Sequence, residues 1–126
     1  MRTLWPGHVT LLFQANSDLP SKIRKPLVKA KGWLGVRMPA DESSRLVLNA
    51  FKKPIVVSSA NLAKKHGNNS LAQVRKNFGR TVDLLIEQGD INIGPKSTLV
   101  DLTSDIPEVI RAGAVSEETV KQALAG

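Results

Sequence analysis

The chain has 126 residues, 41% apolar and 23% charged, which suffices for a buried core and does not suit a disordered tail. No apolar run approaches the roughly 20 residues of a membrane span. The Pro6-Gly7 break and the lack of a small-residue cleavage site argue against a signal peptide, so a cytoplasmic protein is expected, with residues 1–126 as a single domain. With no cysteine, disulfides, thiolate metal sites and cysteine nucleophiles are all excluded, and two histidines are too few for a metal centre built mainly from imidazole.

The formal charge is +7, and it is unevenly placed. Residues 1–40 hold Arg2, Lys22, Arg24, Lys25, Lys29, Lys31 and Arg37 against Asp18 alone, and the rest of the chain is nearly balanced. Such a basic segment suits an anionic partner such as a nucleotide, a polyphosphate or RNA, and it equally suits a solvated lysine face.

In chain order, Val9 to Ala15 has the composition of a strand after the Pro6-Gly7 turn. Asn16 to Pro26 is polar and basic with two prolines, which predicts a loop. Trp33 to Met38 predicts a second strand, stopped by Pro39. Asp41 is placed to cap a helix that carries Leu46, Val47, Ala50 and Phe51 on one face and closes at Lys52-Lys53. Pro54 to Val57 is continuously apolar, as a strand buried on both faces would be, and runs into Ser58-Ser59-Ala60-Asn61. A helix is predicted from about Asn69 to Phe78, ending at Gly79, and then a strand over Val82 to Ile86. Thr98 to Leu102 and Pro107 to Arg111 predict a hairpin across Thr103 to Asp105. Ser116 caps a last helix, with Glu117 and Glu118 at its start and Val115 stapled on Val120. About six strands and three helices in this order predict an α/β fold with a mixed sheet and flanking helices.

No metal cluster, catalytic triad or glycine-rich phosphate loop can be read from spacing, and no catalytic residue is assigned. The candidates are polar residues at strand ends. Ser58 to Asn61 follows an apolar strand, where hydroxyls and free N–H groups can hold phosphate oxygens, although a plain strand-to-helix turn has the same composition. Ser97 precedes a strand; Arg111 ends one, and for a lone arginine there an ordinary surface ion pair is the simpler reading. Arg37, between Val36 and Met38, calls for an anion to face.

Five ordered stretches resemble the YrdC/TsaC-type threonylcarbamoyl-adenylate synthases. They are Leu4-Trp5-Pro6-Gly7 with Thr10-Leu11, Gly35 to Pro39, Pro54 to Asn61, Ser97 to Leu102, and Ile110 to Val115. The resemblance runs from Leu4 to about Val120. It implies a twisted mixed sheet around a basic cavity, and a reaction that joins threonine, bicarbonate and ATP into threonylcarbamoyl-adenylate and pyrophosphate. Magnesium would arrive only with ATP. Partner enzymes would then modify tRNA with the product. By the same resemblance Ser59 and Asn61 contact ATP phosphates, Arg111 binds nucleotide, and Arg37 and Ser97 hold threonine.

The sequence also departs from the family pattern. Members usually carry further strands and helices before Trp-Pro-Gly, including a Lys-x-Arg pair on the phosphates, which marks this chain as an N-terminally truncated member. Lys22-Ile23-Arg24 has the right letters in a different place. His8 stands where a second proline is common, and it suits a turn residue better than a base. Lys64-Lys65-His66 replaces a small-residue loop. Lost strands should expose an edge or a core face, so a homodimer or a complex with another chain is expected. Three functional readings follow: a nucleotide-binding member with weak or no synthase activity, a working synthase completed by a dimer mate or partner, and a basic RNA-binding module, double-stranded RNA included.

Overall fold

The computed structural model describes residues 3–28, 31–60, 70–89 and 94–125. They fall into two compact units, residues 1–55 with 95–126 and residues 56–94. The first unit is built on four strands, β1 (Val9–Gln14), β2 (Trp33–Val36), β3 (Thr98–Asp101) and β4 (Glu108–Arg111). Their order in the sheet is β2-β1-β3-β4. The sheet is mixed, as predicted. β1 runs antiparallel to β2, with Leu11 opposite Val36, and parallel to β3, with Val9 opposite Thr98. β3 and β4 form the predicted hairpin. Their register shifts between Leu99, opposite Arg111, and Val100, opposite Val109.

The core lies on one face of this sheet. Val9 and Leu11 of β1 and Val100 of β3 are buried there with Leu4 and with Val120 of α4 (Glu117–Ala125). Trp5, Phe13, Leu102, Val109, Val115 and Leu124 pack around them. Ser116 caps α4 as expected, its Oγ accepting from the Thr119 N–H at 3.2 Å, and Val115 joins the cluster that holds Val120. The chain enters β1 through a turn fastened by the Trp5 indole, whose Nε1–H donates to the Val9 carbonyl at 2.8 Å.

Two more helices belong to this unit. Asp41 caps α2 (Glu42–Phe51), accepting from the Ser44 N–H at 2.8 Å, and Lys52 closes it in the left-handed region at φ 56°. Its apolar stripe is uncovered; Phe51 is 56% exposed. The predicted loop at Asn16 to Pro26 is instead partly helical, as α1 (Ser21–Leu27). Pro20 stands before the helix, where a missing N–H costs nothing, and its carbonyl accepts from Ile23 and Arg24. Pro26 falls one residue before the end.

In the second unit α3 (Leu71–Phe78) starts at Ser70, which accepts from Gln73, and ends at Gly79. Asn69 lies outside the described residues. The Arg75 guanidinium grips the Glu87 carboxylate with Nε and Nη2, tying α3 to the segment beyond it. The strands predicted over Pro54 to Val57 and Val82 to Ile86 do not form. Both segments are irregular, and Val57 and Leu84 are 83% and 75% exposed, the opposite of burial on both faces. Apolar composition favours a strand only where a neighbouring ladder completes it, and among the described residues these segments have none.

The β3–β4 turn is set by Asp101. Its carboxylate accepts from the Thr103 hydroxyl at 2.6 Å and the Thr103 N–H at 2.8 Å, and these bonds hold its pKa below the ordinary 3.8. A lowered folded-state pKa adds stability that is complete above the ordinary value and is lost as pH falls through the lowered one. Thermal melts taken below about pH 4 should therefore show an acid loss that is shallower in Asp101→Asn than in the parent.

Candidate functional site

Strand directions gather four candidate groups at one end of the sheet. The beginnings of β1 and β3 lie beside the ends of the antiparallel β2 and β4. Arg37 follows the last residue of β2, His8 precedes β1, Ser97 precedes β3, and Arg111 ends β4.

Arg37 is exposed, and its guanidinium is held on one side. Nε donates to the Gly7 carbonyl at 3.0 Å and Nη2 to His8 Nδ1 at 3.2 Å. The turn and the end of β2 are also joined by the Gly7 N–H, which donates to the Met38 carbonyl. Across β1, the Thr10 and Ser97 hydroxyls share a 2.9 Å hydrogen bond. Arg111 Nη2 donates to the Ser97 carbonyl at 2.8 Å and lies 3.5 Å from its Oγ. Both arginines are thus anchored by neutral acceptors, and among the described residues neither forms a salt bridge. Asp41, at the start of α2, feels the charge of Arg37, but its oxygen is spent chiefly on Ser44, the main cause of its lowered pKa.

The Arg111–Ser97 contact depends on a clasp behind it. Thr98, 0% exposed, donates its hydroxyl to the Val115 carbonyl at 2.6 Å and accepts from the Val115 N–H at 3.0 Å. Its own N–H donates to the His8 carbonyl, and the Ala114 N–H donates to Lys96. Gly113 allows this approach. A Cβ there would stand 2.2 Å from the Lys96 carbonyl oxygen and 2.6 Å from the Ser97 carbonyl carbon.

Arg37, Ser97 and Arg111 are therefore brought to one sheet end. Ser59 belongs to the second unit, where it is exposed, and Asn61 lies outside the described residues, as do Lys64, Lys65 and His66. Sequence reasoning gave no role to Thr10, Thr98 or Gly113. Thr98 heads an apolar run, and Gly113 sits in an otherwise strand-like Arg-Ala-Gly-Ala-Val segment; both are local signals for a buried hydroxyl and a close approach. Two solvent-open depressions, of about 500 and 410 Å³, lie at Ser104–Glu108 and beside α2, and none of the candidate residues lines them. Among the described residues no group of three or more acidic or imidazole side chains could hold a metal, and no helix is long and apolar enough to cross a membrane.

The class that this geometry defines is an α/β domain whose mixed sheet carries hydroxyls and anchored arginines at one end. Known proteins sharpen this class. The Sua5/YciO/YrdC family model, described by the words telomere recombination, matches residues 1–113, and the chain belongs to that family. It is 29% identical over 123 residues to threonylcarbamoyl-AMP synthase of Pyrococcus abyssi, covering 98% of this chain and 35% of that protein. The Bacillus subtilis threonylcarbamoyl-AMP synthase is 27% identical over 122 residues, covering 96% of this chain and 34% of its own. Among solved structures, P. abyssi Sua5 complexed with L-threonine matches with a TM-score of 0.78 at 29% identity, over 98% of this chain and 35% of that one. Escherichia coli YciO shares the fold, with a TM-score of 0.71 at 23% identity, over 90% of this chain and 54% of that one. The chain thus spans about a third of the synthases and about half of YciO.

Gly113→Ala tests the clasp. Its Cβ would meet backbone atoms, so the segments must part, and urea unfolding should show a loss of about 1–3 kcal/mol. Thr98→Val should cost a similar amount, because the Val115 N–H and carbonyl lose their buried partner.

Proposed function

We propose that this chain binds threonine and a nucleotide as a threonylcarbamoyl-AMP synthase-type domain, with weak or no synthase turnover on its own. The carrying observation is the convergence of Arg37, Ser97 and Arg111 at one end of a single sheet. The L-threonine complex of the P. abyssi relative supports the amino-acid half of this reading.

In this reading the Arg37 guanidinium takes the threonine carboxylate, and Ser97, with Thr10 behind it, offers hydroxyls to the polar end of the same ligand. Arg111 faces a nucleotide phosphate, and Ser59 and Asn61 serve the ATP phosphates. The threonine amine would condense with bicarbonate, a C–O bond of bicarbonate breaking as the N–C bond forms and water leaving, and the resulting carbamate would attack the α-phosphorus of ATP. The bond to pyrophosphate breaks as the mixed anhydride forms, so catalysis consists of alignment and charge neutralisation. The resemblance expects a Lys-x-Arg pair on the triphosphate, and loss of a phosphate donor of this kind costs on the order of a hundredfold or more in rate. In this chain Lys22 and Arg24 stand on α1. The product would feed the transfer of a threonylcarbamoyl group to tRNA.

Calorimetric titration should show threonine binding that is lost in Arg37→Ala and ATP binding that is strongly weakened in Arg111→Ala. Threonine-dependent pyrophosphate release from ATP and bicarbonate should be near background for the chain alone. Robust release that vanishes in Arg111→Ala would instead mean a complete synthase site.

The uncovered apolar stripe of α2, including Leu46 and Phe51, fits the proposed dimer or complex with another chain. Sedimentation at tens of micromolar should show an assembly larger than the monomer, and a monodisperse monomer would count against self-association.

A further inference from the structure

A guanidinium carries five N–H donors in one plane. In Arg37 two of them are spent within the chain, Nε on the Gly7 carbonyl and Nη2 on the His8 ring. Nε and Nη2 bound one side of the fork, so a carbonyl and an imidazole together hold that side. Among the described residues no hydrogen bond engages the remaining edge, formed by Nη1 and the second N–H of Nη2. That edge presents two parallel N–H groups, the arrangement that a carboxylate meets with both oxygens.

We propose that His8 is a positioning residue: its neutral ring accepts from Arg37 and aims the free edge of the guanidinium at the carboxylate of the amino-acid ligand. This rests on the reading of Arg37 as the threonine-carboxylate ligand. His8 Nδ1 can accept only while it carries a lone pair, that is, in the neutral ring with its proton on Nε2. Protonation would place an N–H against the Arg37 N–H and a second positive charge beside the first. Arg37 would then keep only its bond to Gly7, and its plane could pivot about Nε. Among the described residues the charged group hydrogen-bonded to the His8 ring is Arg37, at the end of β2; Asp41, at the start of α2, feels the charge of Arg37. β3 meets His8 through the Thr98 N–H, which donates to its carbonyl and fixes the backbone beneath the ring. Threonine capture should therefore weaken when the imidazole carries a second proton.

The test is threonine titration of the parent chain, His8→Ala and His8→Asn from about pH 5.5 to about pH 8, with ATP titrated alongside. Asparagine places Oδ1 where Nδ1 stood and supplies an acceptor that does not titrate. The parent should lose about 2- to 10-fold in threonine affinity on acidification, the worth of one hydrogen bond. His8→Ala should be weakened by that factor at every pH, and His8→Asn should stay near the high-pH parent value throughout. At each pH, ATP affinity should be alike in all three proteins. Parent affinity that rises on acidification would mean His8 contacts the anion directly, and this or an undiminished His8→Ala would overturn the positioning role. A readout free of ligand separates the role of His8 from that of Arg37. Ring ¹⁵N NMR of the ligand-free chain should show His8 Nδ1 as an unprotonated nitrogen that accepts a hydrogen bond, and Arg37→Met should move its resonance to that of a free acceptor. If the resonance behaves so but the parent binds no threonine at any pH, the threonine reading falls and the proposal falls with it. A resonance unmoved by Arg37→Met overturns the role of His8 alone.

Discussion

The buried hydroxyl of Thr98 holds the first unit together at the point where its core and its candidate site meet. A hydroxyl taken out of water without partners costs several times what one hydrogen bond contributes, so burial at 0% exposure is tolerable only because both of its capacities are used. The partner for both is Val115. That single residue anchors the segment that leaves β4 and starts α4, and its side chain joins the cluster around Val120. On the other side the same clasp presses residues 111–114 against residues 96–97, where Arg111 reaches the Ser97 carbonyl. Stability and the geometry of the candidate site therefore share one constraint.

The charges of this domain are managed in two ways. Arg75 and Lys121 are neutralised by Glu87 and Glu117 in exposed pairs. Such pairs organise surface segments and add little to binding or to stability. Arg37 and Arg111 are held by carbonyl oxygens, a hydroxyl and an imidazole. Neutral acceptors restrict where a guanidinium points and leave its charge intact. That is the electrostatic condition for receiving an anion, and at the described end of the sheet it is met on both outer strands.

How much of this the sequence disclosed follows from the range of each interaction. Local signals were legible: Asp41 and Ser116 as caps, the polar turn before β4, and the strand character of residues 9–14 and 33–36. The candidates Arg37, Ser97 and Arg111 were legible because family motifs carry them, and strand direction then explains why they meet. Features that depend on distant partners were not legible. Segments 54–57 and 82–86 have strand composition but no ladder, and Pro20 and Pro26 masked a helix whose ends tolerate them. The pairing of Thr98 with Val115 spans 17 residues, and that of His8 with Arg37 spans 29. Only the register of the sheet brings those partners together.

The period-two alternation of the strands separates what this domain must keep from what it can change. Val9, Leu11 and Val100 point into the core, and the alternate residues Thr10, Leu12 and Leu99 lie on the opposite face. The Thr10–Ser97 hydroxyl pair and Gly35, whose missing Cβ would touch Leu12 and Thr10, belong to that second face. Arg111, opposite Leu99, extends it across β4. Substitutions on this face alter hydroxyls and charges without opening a cavity beneath α4. Solved structures at 23–29% identity share this fold. His8 lies at the entrance to β1, exposed and clear of the core, where a change of side chain would alter the contact to Arg37 and leave the packing of Val9 and Leu11 untouched.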